Sequence, residues 1–189
     1  SYLIERAQTI KYLGLIMDPH LKWEAHIKNI ETKISCAAGI LWKLKSQLPK
    51  STKKTIYTAL IESHLNYLTP IWGSASDSTL KALQVIQNRA LRNVYCLDRL
   101  DNRVQMYQQQ VDRFLPIRAI FYVNTASFIF NCLKGNYHNN FHFSFSIPRS
   151  PRARRFLNPQ RSLSQYGSRR ISSMGPKIFN DLPENIQNC

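Results

Sequence analysis

A chain of 189 residues with 43% hydrophobic and 11% aromatic side chains has enough apolar surface for one sizeable core or two small ones, which excludes disorder throughout. Its 26 Lys and Arg against 11 Asp and Glu leave a formal charge of +15, and a compact state repels itself at that charge. A polyanionic partner is the simplest reason to tolerate it: nucleic acid leads, and an anionic membrane surface stands behind it.

The charge is uneven, and residues 136–189, with 8 basic and 2 acidic side chains, are the most basic part. Cys36, Cys96, Cys132 and Cys189 are widely spaced and form no C-x-x-C, and no secretory signal opens the chain. A disulfide framework or zinc ribbon therefore has little support, and an intracellular setting is expected, nuclear or cytoplasmic, with no targeting signal to choose between them. The longest apolar run, "IRAIFYVNTASFIFNCL", is interrupted by Arg118, Asn124, Ser127 and Asn131 and is too short to span a membrane, so it reads as a core helix.

In chain order, "IKYLGLIMD" reads as a short edge strand, with Gly14 inside it marking a bulge or a close approach of another backbone. Asp18-Pro19 ends it. Ile27, Ile30, Ile34, Ala37, Leu41, Leu44 and Leu48 then recur at a 3-4-3-4 spacing, one stripe along a helix that Pro49 stops. Ser51 is placed to cap a second helix with Tyr57, Leu60, Ile61, His64 and Leu68 inward, ended by Pro70 and "IWGS". Asp77 or Ser78 caps a third, with Leu80, Leu83, Ile86, Ala90 and Val94 inward.

"LDRLDNR" (residues 97–103) reads as a connection, followed by a short amphipathic piece around residues 104–113. A fourth strong helix runs from Pro116 to about Leu133, with Gly135 as its cap. It is apolar nearly all round, through Ile117, Ile120, Phe121, Val123, Phe128, Ile129 and Phe130, which predicts burial between other helices. Beyond Gly135 helix formers thin out and no acid appears before Asp181, so residues 136–170 read as a linker or an arm ordered by a ligand. The fold class is mainly α: a helical bundle with a short N-terminal strand or hairpin and an irregular basic C-terminal arm.

The strongest signal for nucleic acid is the run Arg149, Arg152, Arg154, Arg155, Arg161, Arg169 and Arg170, because guanidinium groups bind phosphates in forked pairs and nothing acidic lies nearby in the sequence. Phe156 and Tyr166 are placed to stack on bases. Lys50, Lys53 and Lys54 cluster where the second helix starts and its exposed amides add to the attraction for phosphate, and Arg89 and Arg92 lie on the third; all five are candidate nucleic-acid contacts. Cys132, His138 and His142 offer half a zinc site without the second cysteine, so no metal site is assigned. The chain has no G-x-S-x-G and no adjacent acidic pair, and Asp98 and Asp101 sit among arginines as local ion pairs, so no catalytic residue is assigned.

Four blocks, "IKYLGLIMDPHLKWEAHI", "LIESHLNYLTPIWG", "LKALQVIQNRALRNVY" and "GPKIFNDLPENI", occur in the same order in reverse transcriptases of non-LTR retrotransposons, and the chain resembles their C-terminal part. The resemblance implies that residues 1–19 close the palm, with Lys11, Tyr12, Leu13 and Gly14 as the primer grip. It implies a helical thumb-like and connection region over 20–135, a basic arm over 136–174 and a C-terminal packing segment over 175–189.

In that reading Ile178, Phe179, Leu182 and Ile186 pack back onto the helices. The arm carries "RSPRARRF" where the family often has an "NTR"-like element, and Phe179 replaces the tryptophan usual in its "GPKIWN" form. The implied partners are RNA and DNA, as primer-template and target site, together with the upstream palm and fingers of a longer parent, and no membrane. Magnesium and the catalytic aspartates would belong to that missing palm, leaving no cofactor in this stretch. The alternative is a free-standing basic helical nucleic-acid-binding or scaffold protein derived from a mobile element.

Overall fold

The computed structural model describes residues 7–97, 107, 114–137 and 156–187. They belong to two compact units: Ser1–Tyr67 with Ala75–Arg118, and Leu68–Ser74 with Ala119–Cys189. The architecture is mainly helical with one antiparallel hairpin, the predicted class.

The first unit opens with β1 (Ile10–Tyr12) and β2 (Leu15–Met17), paired Ile10 to Met17, Lys11 to Ile16 and Tyr12 to Leu15. Gly14 is therefore no bulge: it is the second residue of a two-residue turn, with Leu13 at φ 46° and Gly14 at φ 81°. Two successive positive φ angles match the right-handed twist of the strands they join, and only glycine takes that conformation without steric cost. After β2 the Asp18 carboxylate accepts hydrogen bonds from the amides of His20, Lys22 and Trp23 at 3.0, 3.0 and 2.8 Å, so the Asp-Pro turn organises the entry to the first helix.

That helix, α1, spans Glu24–Lys43, starting and ending earlier than the apolar stripe suggests. Ile27, Ile30, Ile34, Ala37 and Leu41 are buried as expected, while Leu44 and Leu48, beyond the last helical turn, are half-buried. α2 (Lys50–Tyr57) passes through a π-helical turn (Thr58–Glu62) into α3 (Ser63–Asn66). Ser51 does not cap α2, which begins at Lys50 directly after Pro49. The π turn changes the helical period, so Tyr57, Ile61 and Leu65 are fully buried while Leu60, expected inward, is exposed.

α5 (Asp77–Tyr95) is capped by Ser76 rather than Asp77 or Ser78, its hydroxyl accepting from the Thr79 amide. α5 packs along α1 through Leu80, Leu83, Ala90, Leu91 and Val94; Ile86 is only half-buried. The buried Gln87 amide donates to the Tyr57 hydroxyl at 3.0 Å and to the Leu115 carbonyl at 2.9 Å.

In the second unit, α4 (Thr69–Trp72) places Pro70 in its first turn, so this proline opens a short helix rather than closing the preceding one. α6 (Ile117–Leu133) follows Pro116 and ends as predicted: Gly135, at φ 73°, donates to the Cys132 carbonyl and Asn136 to that of Asn131, closing a left-handed cap. The expectation that α6 is buried all round is corrected, because Tyr122 and Val123 are about half exposed.

α7 (Gln165–Ser168), α8 (Ile171–Asn180) and α9 (Glu184–Gln187) complete the unit. Its core joins Ile129, Leu157 and Phe179, with Phe128, Phe130, Leu133, Ile171 and Leu182 packed against them.

The motif "GPKIFN" is built for this packing. A Cβ on Gly175 would lie 2.6 Å from Ile129 Cδ1, so glycine lets α8 approach α6. Pro176 has no amide hydrogen for the Ser172 carbonyl, which accepts instead from the Gln160 amide at 3.1 Å. Asn180 then grips the Leu157 backbone from both sides, donating to its carbonyl and accepting from its amide, each at 2.9 Å. Residues 156–170 are thus not a bare linker, since Leu157 enters the core. Phe179 and Leu182 join this core and Ile178 is buried, while Ile186 is about half exposed.

Candidate nucleic-acid interface

Lys11, Tyr12, Leu13 and Gly14 form the outer strand and tip of the hairpin. Ile10, Tyr12 and Leu13 are 58%, 62% and 67% exposed, so β1 displays its large side chains to solvent while β2 turns Leu15 into the core. Two contacts hold the hairpin on the helices behind it: the Tyr67 hydroxyl donates to the Leu13 carbonyl at 2.8 Å, and the Ile16 amide donates to His26 Nδ1 at 3.4 Å. The hairpin thus leaves Lys11 and Tyr12 exposed.

The lysines at the start of α2 separate. Lys50 and Lys54, four residues apart, share one helix face and gather at Tyr95, their ammonium groups 4.3 and 5.9 Å from its ring centroid. Lys53 is rotated off that face and is 3% exposed; its ammonium donates to the Lys45 carbonyl at 3.0 Å and to Cys96 Sγ at 3.1 Å. Lys53 is therefore withdrawn from solvent: it ties the start of α2 to the cap of α5. On α5, Arg89 is exposed and Arg92 half-buried. Among the described residues, Lys28 pairs with Glu31 and Arg118 with Asp77.

In the second unit Arg161 and Arg170 meet in a notch of about 220 Å³, together with Ser162, Ser164, Tyr166 and Ser172 and no acidic side chain. Gly167 allows its floor, since a Cβ there would lie 2.6 Å from Ser162 Oγ. Arg169 is half-buried and does not line it, and Phe156 and Tyr166 are both exposed. Arg149, Arg152, Arg154 and Arg155, and also Asp98, Asp101, His138 and His142, lie outside the described residues.

Sequence reasoning overlooked Tyr95 and the side chains beneath the hairpin tip, His26, Asn29, Lys33 and His64. Their only sequence signal is helical spacing, i to i+4 for Asn29 and Lys33, which marks a shared face but not what that face meets. The imidazoles of His26 and His64 are both held below the usual histidine value, by burial first and by the Lys33 charge second. No described helix is long and apolar enough to cross a membrane.

Comparison with known proteins finds about half of the chain similar to RNA-directed DNA polymerases of mobile elements. The relatives are jockey-like and other transposon polymerases of Drosophila. Among them are a probable RNA-directed DNA polymerase from transposon X-element of Drosophila melanogaster, 35% identical over 92 residues, and the polymerase from mobile element jockey of the same species, 31% identical over 98. These matches cover 47% and 49% of this chain and 10% of each relative. A probable polymerase from transposon BS is 30% identical over 97 residues. The match thus spans about a tenth of the length of these relatives. No protein-family model and no solved structure matches the chain.

Proposed function

We propose that this chain is a nucleic-acid-holding part of a non-LTR retrotransposon reverse transcriptase. The hairpin of Lys11, Tyr12, Leu13 and Gly14 lies on the primer backbone as a primer grip. Lys50, Lys54, Arg89 and Arg92 serve as thumb contacts, and Arg161 and Arg170 hold a template or target strand. The observation that carries the reading is the similarity to RNA-directed DNA polymerases, and the exposed hairpin agrees with it.

Contacts of this kind are made to phosphate, so they position a duplex without reading its sequence. Bond formation belongs to magnesium-binding aspartates of a palm, and this chain carries no adjacent acidic pair to supply them. A labelled DNA-primer/RNA-template duplex should bind the full chain with an affinity that falls steeply with salt and changes little with base sequence. Magnesium and deoxynucleotides should give no primer extension by this chain alone. Salt-insensitive binding, or robust synthesis, would refute the division of labour.

A further inference from the structure

A notch of about 420 Å³ lies under the hairpin tip, within the first unit, in the size range of ligand sites. Leu13 and Gly14 of the hairpin turn form one wall; α1 contributes His26, Asn29 and Lys33, α3 contributes Ser63 and His64, and Tyr67 directly follows α3. No acidic side chain lines it. Two of its polar groups are already engaged: the Tyr67 hydroxyl donates to the Leu13 carbonyl, and the Ser63 hydroxyl donates to the Ala59 carbonyl at 2.6 Å. His26 is 3% exposed and receives the Ile16 amide on Nδ1, so it serves the hairpin rather than the opening. Asn29, Lys33 and His64 remain as the ligand-facing set: one amide, one fixed cation and one group that becomes a cation on protonation.

We propose that this notch seats one backbone phosphate of the strand lying across the hairpin, clamped between the Lys33 ammonium and the His64 imidazole with the Asn29 amide as a neutral donor. The assignment rests on the nucleic-acid-holding reading above and adds to it a site and a proton dependence. A metal ion is the wrong occupant, because Lys33 repels it and no carboxylate lines the notch.

An anion suits it, and binding should take up a proton. In the free chain burial and Lys33 disfavour imidazolium at His64; a phosphate between them offsets that repulsion and accepts a charge-assisted hydrogen bond. Among the residues lining the notch, the titratable and charged groups beside His64 are His26 and Lys33 from α1 and Tyr67 just after α3, and the hairpin adds none. Duplex affinity should therefore be lowest above the bound-state midpoint of His64 and rise as pH falls toward its free-state midpoint.

The test uses the full chain, a labelled DNA-primer/RNA-template duplex, and the variants Lys33→Gln and His64→Gln. The ring proton resonances of His64 should titrate at higher pH when duplex is added. Without duplex, Lys33→Gln should also raise that midpoint, since a repelling charge is removed. Lys33→Gln should weaken duplex binding by about tenfold, the worth of one charge-assisted contact, and lower the salt slope by about 0.9. His64→Gln should abolish the rise in affinity at low pH while leaving affinity at high pH within about twofold.

A His64 midpoint that duplex does not move, with a salt slope unchanged in Lys33→Gln, would show the notch empty while the nucleic-acid reading stands. No duplex binding by the parent chain would remove both. An acidic peptide that shifts His64 as far as the duplex does would replace the strand phosphate with a protein partner.

Discussion

Replacing Gly175 by alanine tests whether the "GPKIFN" segment is a packing device. The added methyl would stand 2.6 Å from Ile129 Cδ1 and 3.1 Å from Cγ1, and Ile129 is fully buried against Leu157 and Phe179, so it has no room to swing aside. Overpacking of this kind costs about 1–3 kcal/mol, while alanine in a helix interior regains about 1 kcal/mol over glycine. The net loss should be up to about 2 kcal/mol, which lowers the melting temperature of a chain this size by up to about 8 °C.

A second substitution supplies the control. Ile129→Val removes Cδ1 and alone costs about 1 kcal/mol. Combined with Gly175→Ala it should be no worse than by itself, because the atom that clashes is gone. Urea and thermal unfolding of the parent, both single variants and the double form a complete cycle. A stabilising Gly175→Ala, or strict additivity in the double, would refute the close-approach argument.

Other expectations follow from the same geometry. Lys50→Gln with Lys54→Gln should reduce the salt slope of duplex binding by up to about 1.8, whereas Lys53→Met should leave the slope unchanged and alter only unfolding, since Lys53 is buried between Lys45 and Cys96. Arg161→Gln with Arg170→Gln should weaken binding by about a hundredfold and change stability by less than about 0.5 kcal/mol, because both side chains lie at the surface. At Asp18, burial raises the carboxyl pKa, but hydrogen bonds from the Lys22, Trp23 and His20 amides outweigh it, so the folded value lies below the unfolded one. Its contribution to stability is therefore complete above the unfolded value and lost as pH falls through the folded value. Asp18→Ala should remove that acid-side loss, measurable by denaturant unfolding between about pH 5 and 2.

The helical content was legible in the chain because periodic apolar stripes, prolines and a capping glycine act locally. Ile27 to Leu41 lie on one face of one helix, and Gly135 closes α6 with the hydrogen bonds its position demands. Boundaries and faces were less legible. Ser76, rather than Asp77 or Ser78, caps α5 because the chain enters that helix one residue earlier, and Leu60 turns outward because a π turn resets the period. Among the candidate contacts, the four hairpin residues stand together since they are consecutive, but Lys53 was misread: charge in a string of letters carries no direction.

By itself the sequence determined the mainly helical class, the strong positive charge, the absence of an adjacent acidic pair and the likeness to mobile-element polymerases, all properties of composition, local spacing or residue order. Tertiary structure decided which cations reach solvent, and it brought Asn29 and Lys33 to His64, and Arg161 to Arg170, across separations no periodic pattern encodes. The physical reason is that a helix specifies which side chains share its face, whereas what that face meets depends on how elements far apart in the chain pack together.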